Sequence, residues 1–142
     1  MDENDDGPQP FVVNVEELTL ANEKFRVTKW TGTNLQMTLM VIPVGGEIGL
    51  EVHDTHDQFL RIEQGRAQIV MGAAQDHLDH QWEAAAEFAV FVPAGTWHNL
   101  RNIGQEPLKL YSIYAPPQHA HGTVHTTFEE AAAAEEHEHQ DG

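Results

Sequence analysis

The residues of this chain best suited to chemistry fall in two short stretches. Residues 45–65 read GGEIGLEVHDTHDQFLRIEQG, and within them Glu51 and His53 stand two apart. On an extended strand that spacing puts both side chains on one face. Gln58 opens the next predicted strand, and Gly65 sits in the turn that ends it. Residues 91–102 read FVPAGTWHNLRN, where Pro93 and Gly95 shape a turn and His98 begins the strand after it. The 142 residues include 10 His and no Cys, which excludes a disulfide scaffold, a Cys-type zinc site and a thiol nucleophile. Metal or small-molecule chemistry remains. Two other His groups are read mainly as solvated. His77, Asp79 and His80 suggest a second metal site but sit in a polar loop, and His137 and His139 lie in an acidic tail.

Nine short extended segments must position these side chains: 11–15, 24–31, 35–42, 48–53, 58–62, 67–71, 88–92, 97–102 and 108–114. They are rich in Val, Ile, Phe, Tyr, Trp and Thr, which fit a pleated, half-buried surface. Turn residues separate them at Thr31 and Gly32, Pro43 to Gly46, Gln64 and Gly65, Pro93 to Gly95, Gly104, and Pro116 and Pro117. Strands at this spacing predict an all-β sandwich or barrel and argue against a βαβ unit. Residues 16–23 could form one or two helical turns. Residues 72–87, GAAQDHLDHQWEAAAE, interrupt the rhythm and read as an extended hairpin excursion with a helical option at 82–87.

Seven Lys and Arg against 23 Asp and Glu give a formal charge of −16, which disfavours nucleic acid and anionic membrane as partners. Ten of those charges sit at the ends, on Asp2, Glu3, Asp5 and Asp6 and on Glu129, Glu130, Glu135, Glu136, Glu138 and Asp141. Residues 1–9 are therefore expected to be a disordered acidic N-terminus, 10–127 the folded domain, and 128–142 an acidic mobile tail, whose Ala and Glu content could support a frayed helix packed through Phe128. No segment approaches the roughly 20 apolar residues of a membrane span. The acidic start lacks a basic-then-apolar signal pattern, so a cytoplasmic protein is expected. A halophilic source could add to the acidity, although the tails account for most of it.

The two stretches resemble the cupin superfamily. Its first motif runs Gly, five residues, His-x-His, three or four residues, Glu, six residues, Gly. This chain has Gly45, five residues, Glu51-x-His53, four residues, Gln58, six residues, Gly65. The second motif runs Gly, five residues, Pro-x-Gly, two residues, His, three residues, Asn. Here it is Pro93-x-Gly95, two residues, His98, three residues, Asn102, with Glu87 in place of the leading Gly. Every spacing is kept, while the first His has become Glu51 and the Glu has become Gln58. The motifs cover 37 of 142 residues, and the strand rhythm extends the likeness over most of 11–114.

The resemblance implies a double-stranded β-helix, a jelly-roll barrel with metal ligands projecting into its lumen. Carried over position by position, the ligands are Glu51, His53, Gln58 and His98: two imidazoles, one carboxylate and one amide oxygen. The single negative charge has moved from the third position to the first. Such a set suits one divalent transition metal, Fe, Mn, Ni, Co or Zn, with no softness reason to choose copper. His56 and Asp57 are rival ligands, but they fall in the turn, where His56 should face solvent. By strand parity Leu60 and Ile62 share the lumen face of Gln58, and Arg61 and Glu63 face away. Trp97, Tyr111, Tyr114, Met37 and Leu39 are either core or lumen wall. Residues 111–117, YSIYAPP, with His119, His121 and His125 after them, resemble small bacterial monocupins labelled mannose-6-phosphate isomerase-like. His119 or His121 could close over the barrel as an acid or base, or stand in solvent.

The implied function is a metal-binding monocupin acting on a small polar molecule, as an oxygenase or as an isomerase or lyase. The alternative is a non-catalytic module that binds a sugar or acid in the same barrel. An interaction scaffold rests on the acidic tails alone. Small cupins commonly pair, and the apolar segment 11–15 suits addition to a sheet edge, so a homodimer is expected.

Overall fold

The structure is a computed structural model that describes residues 4–141, with side chains as far as Ala134. Its elements are α1 (Val15–Ala21), β1 (Arg26–Thr31), β2 (Gln36–Ile42), β3 (Asp57–Gln64), β4 (Arg66–Gly72), β5 (His80–Ala85), β6 (Ala89–Val92), β7 (Trp97–Asn102), β8 (Leu108–Ala115), β9 (Val124–His125) and α2 (Phe128–Asp141). Six strands form one sheet in the order β6-β3-β8-β2-β1-β9, and three form a second in the order β5-β4-β7. The ladders within both sheets are antiparallel. Strands with one wet face alternate. Leu60 and Ile62 on β3, Leu108 and Leu110 on β8, Ala67 and Ile69 on β4, and Leu100 on β7 all turn inward into one core. Each such Leu or Ile side chain contributes about 1.5–3 kcal/mol when fully buried. This is the all-β jelly-roll architecture expected of the sequence.

Several expected elements take another form. Residues 11–14 belong to no strand, and Val12 is 99% exposed. Asn14 instead caps α1, accepting from the Glu17 N–H at 3.0 Å, with Glu16 and Glu17 in the first turn where the helix dipole favours them. The segment 48–53 pairs with β7 only through isolated bridges, Glu47 with Arg101 and Glu51 with His98. Gly49, at φ 105°, donates its N–H to the Asn99 side chain and breaks the ladder between those bridges. The stretch 72–87 does form the expected extended hairpin, and residues 80–85 do not take the helical option. They pair with β4 and bury Ala84 while His80 and Trp82 stack outside.

The acidic ends are the larger correction. Residues 4–9, expected to be disordered, lie along β1. The Asp5 carboxylate is fully buried and accepts from the N–H groups of Gly7 and Thr31 at 3.0 Å, the Thr31 hydroxyl at 2.5 Å and the Gly122 N–H at 3.2 Å. Asp6 pairs with Lys29 at 2.8 Å, and Trp30 donates to the Gln9 carbonyl at 2.7 Å. A Cβ on Gly7 would lie 2.2 Å from the Thr31 nitrogen, so only glycine permits this contact. The tail was expected to be mobile from residue 128, and the structure takes the helical option instead, with α2 starting there. Thr127 accepts from the Glu130 N–H and Glu130 reaches back to the Thr126 N–H, both at 3.1 Å, a reciprocal cap. Phe128 meets Phe25 edge-on, and Ala131 is 2% exposed within the core cluster. His137 and His139 lie outside the described side chains.

Candidate metal centre

The site begins with one backbone bridge. Glu51 N–H donates to the His98 carbonyl at 3.0 Å, and His98 N–H to the Glu51 carbonyl at 2.9 Å. Residues that exchange both hydrogen bonds stand directly opposite, so their side chains emerge on one face. His98 is brought to that register by the turn before β7, where Thr96 N–H closes on the Pro93 carbonyl at 3.2 Å and Gly95 has φ 79°. Gly95 also donates its N–H to the His53 carbonyl at 2.9 Å, which ties the third residue to the same turn. The two motifs of the sequence therefore meet through their backbones as well as their side chains.

Glu51 Oε1 lies 3.4 Å from His53 Nε2 and 3.3 Å from His98 Nε2. The donor atoms of the three residues all fall within 4.8 Å of one another, and no other such group occurs among the described residues. These separations are long for hydrogen bonds. All three atoms are buried and none has a hydrogen-bond partner. Two donors each about 2.1 Å from one cation stand roughly 3.0–3.4 Å apart, so the spacing fits a shared ion. His98 Nδ1 sits 3.0 Å from the Thr96 carbonyl, which can only accept. Nδ1 therefore carries the proton, and Nε2 keeps its lone pair for a metal. Burial alone would raise the Glu51 carboxyl, but the facing imidazoles of His53 and His98 outweigh it and hold the group below the usual carboxylate range. Glu51 is thus an anion at the centre of two imidazoles.

Gln58 reaches the same neighbourhood from β3, where it pairs with Tyr114, whose ring lies 5.6 Å from that of His53. Its amide nitrogen donates to Ser112 Oγ at 2.8 Å, and its Oε1 is buried without a partner. Glu51, His53 and His98 thus offer a dication two imidazoles and one carboxylate, all borderline or hard donors, and Gln58 leaves an amide oxygen without a partner.

The rival residues have other work. His56, expected in solvent, has Nε2 3.0 Å from the Pro117 carbonyl, and Asp57 accepts from the Ala94 N–H at 3.0 Å. The His77 imidazole lies 3.8 Å from Asp76 on an exposed loop and joins no metal-binding group among the described residues. Tyr111 faces outward against Phe59, whereas Tyr114 faces inward and is buried. Arg61 and Glu63 pair at 2.8 Å away from the lumen, as strand parity requires. His121 binds the Gly7 carbonyl at 2.8 Å and serves the N-terminal contact. His119 is the residue that sequence reasoning underrated. Its ring meets Tyr114 edge-on at 5.3 Å, and its Nε2 is buried without a partner. Burial, then Arg26, push its pKa down to about 3, so it is neutral at pH 7 although Glu51 pulls the other way.

Comparison with known proteins agrees with this architecture. An uncharacterized protein of Bacillus subtilis, YrkC, is 55% identical over 132 residues, which cover 93% of this chain and 71% of that protein. The uncharacterized L612 of Acanthamoeba polyphaga mimivirus is 37% identical over 117 residues, covering 82% of this chain and 71% of that one. The crystal structure of BH2720 from Bacillus halodurans superposes with a TM-score of 0.91 at 58% identity, covering 92% of this chain and 98% of that one. The family described as cupin domain matches residues 38–114, a span that runs from β2 to β8 and takes in Glu51, His53, Gln58 and His98. The chain belongs to the cupin domain family.

Proposed function

We propose that this cupin holds one divalent transition metal on Glu51, His53 and His98, with Gln58 as a further oxygen donor, and acts on a small polar substrate. One observation carries the reading: three buried ligand atoms converge within 4.8 Å and none has a hydrogen-bond partner. Leaving such atoms unsatisfied costs about 1–3 kcal/mol each, and a shared cation removes that cost. When bound, the ion supplies Lewis-acid or oxygen-activating chemistry. The protein contributes the rest. Glu51 provides the single anion, the Thr96 carbonyl fixes the His98 tautomer, and Tyr114 walls the site against water. Two His and one carboxylate match the donor count of oxygen-activating iron sites, which favours an oxygenase. An isomerase or lyase rests on the likeness of residues 111–117 to the isomerase-like monocupins.

The test is metal content. Wild-type protein dialysed against Fe(II), Mn(II), Co(II), Ni(II) or Zn(II) should retain about one ion per chain. His98→Ala should lower affinity at least ~100-fold while the far-ultraviolet spectrum keeps its β signature, and His56→Ala should leave retention intact. Metal content unchanged by His98→Ala would remove the basis of the proposal. A substrate panel run with and without dioxygen then separates oxygenase from isomerase. Tight binding without turnover would point to the non-catalytic module.

A further inference from the structure

The strongest unexplained group is the His119 imidazole. Residues 118 and 119 are fastened by the side chain of Gln36, which is wholly buried on β2. Gln36 Oε1 accepts from the Gln118 N–H at 3.0 Å and the His119 N–H at 2.9 Å, and its Nε2 donates to the His119 carbonyl at 2.7 Å. Gln36 is itself braced by the Thr31 hydroxyl at 2.9 Å. The segment is held on its other sides by His56 at the Pro117 carbonyl and by Asp5 at the Gly122 N–H. Five hydrogen bonds thus fix a loop whose one inward ring offers nothing to the fold beyond an edge contact with Tyr114. Tyr114 touches His53 in the same edge-on manner, so the rings form one continuous row. Glu51 and His53 both act electrostatically on His119, yet its donor atoms are not among those that cluster at the centre. It is too near to be unrelated and stands outside the ligand group.

We infer that His119 is a substrate-contacting residue of the centre, whose Nε2 hydrogen-bonds a monoanionic oxygen ligand bound at Glu51, His53 and His98. This rests on the metal reading above. The ligand class follows from charge. A dication and the Glu51 carboxylate leave one positive charge, and Gln58 adds none. A buried net charge is costly unless compensated. A monoanion with oxygen donors, a carboxylate, enolate or hydroxamate, compensates it. A neutral imidazole can donate Nε2–H to such an oxygen, which satisfies the one atom of the loop that the fold leaves unpaired.

Cobalt supplies a readout independent of turnover. The full-length protein is loaded with Co(II), its visible spectrum recorded, and acetohydroxamate titrated as the monoanionic oxygen chelator. His119→Ala and His119→Phe should keep Co(II) affinity within about threefold of wild type. Both should weaken acetohydroxamate about tenfold or more, the size of a hydrogen bond to a charged group. His119→Gln, which keeps a side-chain donor, should recover part of that loss. His119→Phe preserves the edge contact with Tyr114, so it carries the test where the Ala variant folds poorly. Acetohydroxamate affinity unchanged in the Co(II)-loaded variants overturns this inference alone. A loss of Co(II) affinity above tenfold in both variants makes His119 a ligand, and the inference also fails. Wild-type protein that takes up no Co(II) overturns the metal reading and this inference with it.

Discussion

Asp5→Ala measures how much a short acidic stretch contributes once it is docked. In the wild type the Asp5 carboxylate receives the N–H groups of Gly7, Thr31 and Gly122 and the hydroxyl of Thr31. Truncation strands three of these donors against the barrel, and Gly122, on an exposed turn, can turn to water. A stranded buried donor costs about 1–3 kcal/mol, and water entering the space recovers part of it, so about 1 kcal/mol each is the working figure. The expected loss is about 3 kcal/mol, or roughly 10 °C in Tm for a domain of this size. Asp5→Asn keeps one oxygen for Thr31 and Gly7 but turns an amide N–H toward Gly122, and should cost about half as much. Burial acts to raise the Asp5 carboxyl, and the bonds from Thr31, Gly7 and Gly122 more than reverse that and leave it lowered. A carboxyl depressed on folding stabilises above its unfolded value, near pH 4, and that contribution is lost as pH falls through the lower folded value. Urea unfolding at pH 7 and at pH 3 reads both effects. The difference between wild type and Asp5→Ala should shrink at the lower pH. A loss below 0.5 kcal/mol at pH 7, or a difference that grows on acidification, would show that the carboxylate does not clamp residues 4–9.

Other outcomes are expected from single sites. Gln58→Glu places a second carboxylate beside Tyr114 and should tighten Mn(II) or Fe(II) about tenfold in a chelator competition, at some cost to the metal-free fold. Ala131→Asp puts a charge into the core cluster under α2 and should lower stability by about 3 kcal/mol in thermal unfolding; a change within 1 kcal/mol would mean that α2 does not pack there. Thr127→Ala removes the N-cap of α2 and should cost about 1 kcal/mol by the same measurement. His119 contributes to pH dependence with a sign of its own. A His depressed on folding destabilises as pH drops from about 6.5 toward about 3, so His119→Phe should flatten the stability profile between pH 4 and 6.

Motif spacing carried the candidate metal centre a long way. Glu51, His53, Gln58 and His98 are all placed by short-range rules: a period of two along an extended chain, and a turn at Pro93 and Gly95 that aims the strand after it. The inward set of β3, Leu60 and Ile62 beside Gln58, was legible for the same reason, because alternation is written in the order of residues, whereas Tyr111 and Tyr114 on β8 were grouped together and the structure turns them to opposite faces. The route by which Glu51 and His53 converge was not. The sequence suggests a regular strand at 48–53, but Gly49 and the Asn99 side chain break it, and a single bridge to His98 does the alignment.

The lack of Cys excluded thiol chemistry, the spacing of short apolar segments and turns pointed to an all-β chain, and the paired motifs pointed to its family and its ligand candidates. Tertiary structure decided what the polar residues outside the motifs do. Asp5 reads as one more acid in a charged run until Thr31 and Gly122 surround it. His119 reads either as a residue over the barrel mouth or as one in solvent until Gln36, 83 positions away, binds its backbone. Neither fact has a local signature. The energy of a carboxylate or imidazole depends on the donors and charges within a few ångströms, and those arrive from distant strands only when the sheets close.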